Sequence, residues 1–267
     1  MDKVFKQRIA LALSTGAARG IAHIGAIEEL ERQGYEIASV AGCSMGALVG
    51  GAYATGKLQE CAEFLCSIDN RKVLEMIDLT ILKEGFLKGD KIMKRLGGIM
   101  PDMNIEDLPV PYAAVATNLM DEQEVVFDHG SLHDAIRASI SVPLFFVPFK
   151  KDGMVLIDGA ASNPLPLSRA RRSEGDLLVA VVACNPKRDA SQSGHFNKLS
   201  LLTESLTAMV QRLIQYSIAE FKPDMVISIP TRDYSLLDLK NAPELIKEGT
   251  VAARSAIEEY RRSRSLK

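Results

Sequence analysis

VAGCSMGALVGGAYATG, residues Val40 to Gly56, runs an apolar segment into Gly42-Cys43-Ser44-Met45-Gly46 and then into a train of small residues. Gly-x-Ser-x-Gly between a strand-like and a helix-like segment is the sequence form of a nucleophile elbow, a serine held at a sharp strand-to-helix turn. Glycines suit positions 42 and 46, because a residue without a Cβ lets the chain turn tightly and the next helix approach the strand. A helix that starts after Ser44 aims its first amides, and their partial positive charge, at the seryl oxygen. Five residues alone would also fit a tight turn with an incidental serine. The rest of the chain has to decide.

Working outward, RIALALS (8–14) and IASVAGCS (37–44) read as buried strands. GIAHIGAIEELERQG (20–34) and MGALVGGAYATG (45–56) read as the helices that follow them. Further strand patterns stand at 112–119, 124–130, 177–185 and 224–230, with helical patterns near 57–67, 131–139, 200–221 and 242–262. Strands alternating with helices predict βαβ units and a largely parallel sheet covered on both faces. The expected fold class is α/β: a single-domain three-layer α/β/α sandwich with a mainly parallel central sheet. That domain is expected over 8–260, with a short N-terminal extension at 1–7. The basic tail at 261–267 is expected to fray. The polar stretch 185–194 reads as a loop, and the irregular region 80–110 is the candidate lid.

Composition narrows the function classes. A chain of 267 residues with 47% hydrophobic content can bury a sizeable core, and a net charge of −2 supplies no basic field for nucleic acid. No run approaches the roughly 18 apolar residues a membrane span needs. The expected location is therefore cytoplasmic, with transient contact at the inner face of a membrane left open. Cys43, Cys61, Cys66 and Cys184 match no zinc spacing, and Cys43 reads as a small filler beside Ser44. No metal-ligand cluster is visible, and no metal or cofactor is expected.

A nucleophilic serine needs a base. In the usual order of nucleophile, acid and histidine, the histidine lies late in the chain. Of His23, His129, His133 and His195, only His195 does, within the polar SQSGHFNK. The alternative is Asp158 in MVLIDGAASNPLPL, directly after an apolar strand and before Gly159-Ala160. An aspartate with an ordinary pKa of about 4 is a weak base at neutral pH, but desolvation in an apolar cleft would raise it. Asp-Gly-Ala also fits a capped turn. LSTGAARGIAHIG, Ser14 to Gly25, offers backbone amides that could hold an oxyanion, and it lacks the spacings of a nucleotide-phosphate loop. Arg19 could orient that loop or meet an anionic headgroup.

Taken together, TGAARG, GCSMG and DGA, in that order, resemble the patatin-like phospholipase family. RGIAHIGAIEELE is similar to its first helix, ASISVPLFFVPF to its Ser/Pro-rich segment, and SLLDLKNAPELIKEGTVAA to the closing segment of bacterial members. The resemblance covers about residues 8 to 260. It implies a lipid acyl hydrolase with a Ser–Asp dyad. Ser44 would be the nucleophile and Asp158 its base. The amides around Gly16, Ala17 and Ala18 would form the oxyanion hole. Arg19, Gly20, Gly42, Gly46 and Gly159 would support the loop and the elbow, and His23 would be structural. The loop departs from the family's three glycines with Thr15-Gly16-Ala17, where a required positive φ would be disfavoured.

The expected partner is a fatty-acyl ester such as a phospholipid, lysophospholipid or simple lipid ester, and no nucleic acid; oligomeric state is unknown from the sequence. LEMIDLTIL (74–82), IMKRLGGIM (92–100) and PLFFVPF (143–149) could line an acyl channel, meet a membrane or form core. Two other readings stay open: a weak or inactive regulatory or binding protein on the same fold, and a Ser-His-Asp esterase using His195.

Overall fold

Strand β1 (Gln7–Leu13) is buried on both faces: Ile9, Leu11 and Leu13 enter one layer of packing, Ala10 and Ala12 the other. Such a strand belongs at the centre of a covered parallel sheet. The computed structural model of the chain describes residues 6–68, 90–143, 145–183, 197–231, 234 and 239–265. The expectations placed on 74–82, 185–194, Cys184 and His195 lie outside them.

The remaining strands are β2 (Tyr35–Cys43), β3 (Tyr112–Asn118), β4 (Gln123–Phe127), β5 (Phe149–Lys151), β6 (Met154–Asp158), β7 (Leu177–Val182) and β8 (Met225–Ser228). They form one sheet in the order β5-β6-β3-β2-β1-β7-β8, with β4 paired to β3. The run β3-β2-β1-β7-β8 is parallel, while β4, β5 and β6 add an antiparallel end. The sheet is mixed, and its parallel part carries the centre.

One face is covered by α1 (Ala22–Arg32), α2 (Met45–Ala54), α3 (Leu58–Cys66), α4 (Asp90–Gly97) and α5 (Leu132–Ser139). They pack Ile24, Ile27, Leu30, Val49, Leu65, Leu96 and Ile136 against the strands. The opposite face is lined by Ala10, Ala12, Ala41, Ala113 and Ala180. It is covered by Leu165, Leu167 and the long helix α6 (Lys198–Phe221) through Ile214. The last helix, α7 (Ala242–Ser265), returns to the first face through Leu245 and Ile257. Helices thus stand on both sides of the sheet, as the alternating pattern predicted.

Some expectations change. The basic segment 261–267 does not fray from its start: α7 continues through Ser265, and Arg261 donates to Gln33 Oε1 at 2.9 Å and Gln33 O at 3.0 Å. The guanidinium satisfies carbonyl oxygen at the C-terminal end of α1, which gives the basic segment a reason to stay helical. Buried Glu29 adds a second tie, taking Arg32 from its own helix and Arg254 from α7 at 3.1 Å. Within the 80–110 region, residues 90–97 are helical and Leu96, Met100 and Ile105 are buried. That described part of the candidate lid is packed. Hairpin β5–β6 was not fully expected, since the sequence suggested only the strand before Asp158.

That hairpin positions the site. β4 pairs with residues 114–118 of β3, so it occupies one edge of β3. β2 pairs with 112–115 and β6 with 116–118, so both share the other edge. β2 runs parallel to β3 and β6 antiparallel, so they meet end to end. Cys43 pairs with Val115 and Asp158 with Ala116. The residue after β2 therefore arrives beside the last residue of β6. Those residues are Ser44 and Asp158.

Candidate active site

Ser44 links β2 to α2 with φ 56° and ψ −122°, a left-handed φ that a residue with a Cβ adopts only when its surroundings impose it. The surroundings here are two glycines. A Cβ on Gly42 would lie 2.3 Å from Gly46 O, and one on Gly46 would lie 2.5 Å from Leu13 O and 2.6 Å from Ser14 O. The elbow is thus pressed against both its own strand and the end of β1. Ser44 O accepts from the amides of Ala47 and Leu48, which starts α2 directly behind the serine. Gly159 is equally confined, with Val115 O 2.4 Å from where its Cβ would be.

Ser44 Oγ donates to Asp158 Oδ2 at 2.5 Å, and the two residues are 3% and 4% exposed. The other carboxylate oxygen, Oδ1, accepts from Ala160 N–H at 2.8 Å and faces Cys43 Sγ at 3.7 Å. Burial pushes the Asp158 carboxyl up to about 6, while the hydrogen bonds from Ser44, Ala160 and Cys43 pull the other way. A carboxylate so placed can take a proton from the serine near neutral pH, which an exposed aspartate does poorly. The Cys43 thiol is pushed well up by burial and by the neighbouring Asp158, so it stays protonated.

Ser139, the last residue of α5, is a participant the sequence did not single out. Its fully buried hydroxyl accepts from Ser44 N–H at 2.8 Å and donates to Val115 O at 2.7 Å. It thereby fixes the serine's backbone to β3 and satisfies an amide that the elbow's unusual φ withdraws from the sheet ladder. Its only advance sign was its place in ASISVPLFFVPF, the Ser/Pro-rich segment.

The loop after β1 sits on the first turn of α2. A Cβ on Gly20 would lie 2.6 Å from Met45 Cβ, and residues Ala17–Ile21 form a 3-10 turn. Within it, Thr15 N–H is taken by Pro164 O and Arg19 N–H by Gly16 O. The amides of Gly16, Ala17 and Ala18 have no backbone acceptor among the described residues. Free amides at the start of a helical turn suit an anion. The positive φ falls on Ala17, at 49°, and Thr15 is not among the positive-φ residues. Arg19 is 5% exposed, so its guanidinium belongs to the loop's interior rather than to an outer surface.

The described histidines lie elsewhere. His23 is fully buried, and its Nε2–H donates to Ser14 O at 2.8 Å, bracing the loop. Burial holds its pKa down at about 4, so it is neutral. His129 pairs with Asp128 at the surface, and His133 Nε2 bonds to Met100 O. Among the described residues, no group of His, Cys, Asp or Glu is arranged to hold a metal, and no helix is long and apolar enough to cross a membrane.

The chain resembles several known proteins. The family model for patatin-like phospholipase matches residues 11–171. An uncharacterized NTE family protein of Mycobacterium tuberculosis is 41% identical over 206 residues, covering 76% of this chain and 57% of that protein. Patatin-like phospholipase domain-containing protein 6 of Homo sapiens is 33% identical over 195 residues, 70% of this chain and 14% of that protein. Lysophospholipase NTE1 of Saccharomyces cerevisiae is 30% identical over 183 residues, 66% of this chain and 11% of that protein. The chain thus spans little more than half of the mycobacterial relative and a small part of the others. Among solved structures, VipD from Legionella pneumophila matches with a TM-score of 0.51 at 15% identity, covering 96% of this chain and 67% of that one. At that identity the likeness concerns the fold alone.

Proposed function

This chain belongs to the patatin-like phospholipase family, and on that premise we propose that it hydrolyses fatty-acyl esters with Ser44 as nucleophile and Asp158 as its base. The observation that carries the proposal is the 2.5 Å hydrogen bond between these two buried side chains at the head of the elbow. Ser44 Oγ attacks the ester carbonyl while its proton passes to Asp158 Oδ2. The tetrahedral oxyanion is held by the amides of Gly16, Ala17 and Ala18, and the N-terminal end of α2 faces the same charge. Collapse breaks the ester C–O bond, and the departing alcohol takes the proton from Asp158. Water then attacks the acyl-serine, giving its proton to Asp158, and Ser44 leaves reprotonated with a free fatty acid as product. Phospholipids, lysophospholipids and simple lipid esters are the proposed substrate class, in keeping with the named lysophospholipase relative.

Labelling tests the nucleophile. A fluorophosphonate should modify Ser44, read by peptide mass, with no label in Ser44→Ala. Labelling at another residue, or none on folded protein, would refute the assignment. The base sets the pH dependence. Asp158 must be ionised to accept the proton, and its carboxyl is raised to about 6. We expect kcat/KM to fall about tenfold per pH unit below that value and to be flat just above it. A profile that is level down to pH about 4 would mean that Asp158 is not the titrating base.

A second reading, a weak enzyme or binding protein, is favoured by one observation, the left-handed Ala17. The strain there is of the order of 1 kcal/mol, which a packed loop readily holds. Ala17→Gly is expected to change stability by less than about 1 kcal/mol, since relief of strain is offset by unfolded-chain entropy. It should leave turnover within about twofold if the amides are already placed to act. A gain of tenfold or more would show that alanine had distorted the loop.

A further inference from the structure

Helix α6 shows two apolar sides, and the described fold uses only one. Val210, Ile214 and Ile218 pack onto the alanine-lined face of the sheet. At about 100° per residue, Leu202, Leu206, Met209, Leu213 and Tyr216 gather within about 80° of arc, centred roughly 120° from Ile214. Leu202, Leu206, Met209 and Tyr216 are 47%, 46%, 64% and 57% exposed, and Leu213 is half-buried. Their spacing alternates between four and three residues, the seam of a paired helix.

The two ends of the seam carry opposite charges. Lys198 and Glu220 fall in the same arc, both exposed, and among the described residues neither enters an ion pair within its own chain. Under a two-fold axis through Met209, an antiparallel copy would set Leu202 opposite Tyr216 and Leu206 opposite Leu213. Met209 would meet its counterpart, and each Lys198 would meet a Glu220. A stripe that is cationic at one end, apolar between and anionic at the other is complementary to itself in this orientation.

We propose that this face is a self-association surface on which a second copy of the chain lays its own α6 antiparallel. A membrane surface fits less well. Lys198 and Arg212 balance Glu204 and Glu220 along the helix, whereas a helix lying on anionic lipid carries an excess of cations. The antiparallel pair uses both charges. One helix seam is a small interface, so a dissociation constant on the order of micromolar is expected. The surface lies outside the Ser44–Asp158 pair and stands or falls independently of the catalytic reading.

Sedimentation velocity of the full chain across a wide concentration range tests the proposal. The wild type should pass from monomer to dimer. Met209→Glu puts like charges on the axis and should weaken association at least about tenfold, with circular dichroism showing the fold intact. Lys198→Glu and Glu220→Lys should each weaken it several-fold, and the double variant should return to within about twofold of wild type. A chain that stays monomeric at all concentrations would overturn the proposal. So would a dimer indifferent to Met209→Glu, or charge reversals that do not rescue each other. Co-sedimentation of a monomer with phosphatidylglycerol vesicles, lost in Met209→Glu, would assign the face to lipid instead.

Discussion

Asp158→Asn is expected to lose at least about a thousandfold in fatty-acyl ester turnover while making the protein harder to unfold. On the proposed mechanism the loss follows from the chemistry: an amide cannot accept the proton that Ser44 would release. The gain in stability follows from the same burial that makes Asp158 a usable base. Its folded pKa of about 6 stands above the ordinary value of 3.8, so the folded state holds the proton more tightly than the unfolded chain does. This group therefore adds stability as pH falls from about 6 towards 3.8, and costs about 3 kcal/mol once ionised above that window. Asparagine removes the charge, can keep the acceptor for Ala160 N–H, and can donate its amide to Ser44 Oγ. A rise in melting temperature of about 6 °C at pH 7.5, measured by calorimetry, is the expected accompaniment. An unchanged or lowered melting temperature would mean that Asp158 is not held ionised against its surroundings.

Gly46→Ala should damage fold and function together. The added methyl would stand 2.5 Å from Leu13 O and 2.6 Å from Ser14 O, and both are backbone atoms that no rotamer change can move aside. Either α2 lifts from β1 or the loop from Ser14 to Gly20 shifts. Overpacking of this kind costs about 1–3 kcal/mol. A displacement of about 1 Å between nucleophile and oxyanion donors costs about a hundredfold in rate. Denaturant titration and turnover on the same sample check both effects. A variant with wild-type stability and wild-type rate would contradict the close approach of elbow and loop.

The elbow was legible in the sequence because part of its geometry is local. Gly42 is forced by the carbonyl of Gly46 within the pentapeptide itself, whereas Gly46 is forced by Leu13 O and Ser14 O at the end of β1. The loop was legible in part. The sequence marked Thr15 and Ala17 as the places where a positive φ, if the loop needed one, would be disfavoured, but not whether either adopts it; Ala17 does. Asp158 could be suspected but not placed. Its approach to Ser44, which lies 114 residues earlier, depends on β6 running antiparallel along the edge of β3 that β2 vacates. Ser139 was unreadable for the same reason, since its hydroxyl bridges two strands from the end of a helix. The helical course of residues 261–265 depends on Gln33, far away in the chain. The periodicity of α6 predicted a helix and said nothing of which side the sheet would leave open.

The central claim is that Ser44 works with Asp158 and without a histidine. Initial rates of p-nitrophenyl fatty-acyl ester hydrolysis by wild type, Ser44→Ala, Asp158→Asn and His195→Ala, compared side by side, test it most directly. The account predicts no turnover in Ser44→Ala, a loss of at least about a thousandfold in Asp158→Asn, and His195→Ala within about twofold of wild type. A His195→Ala variant as crippled as Asp158→Asn would contradict it and move the base to a histidine.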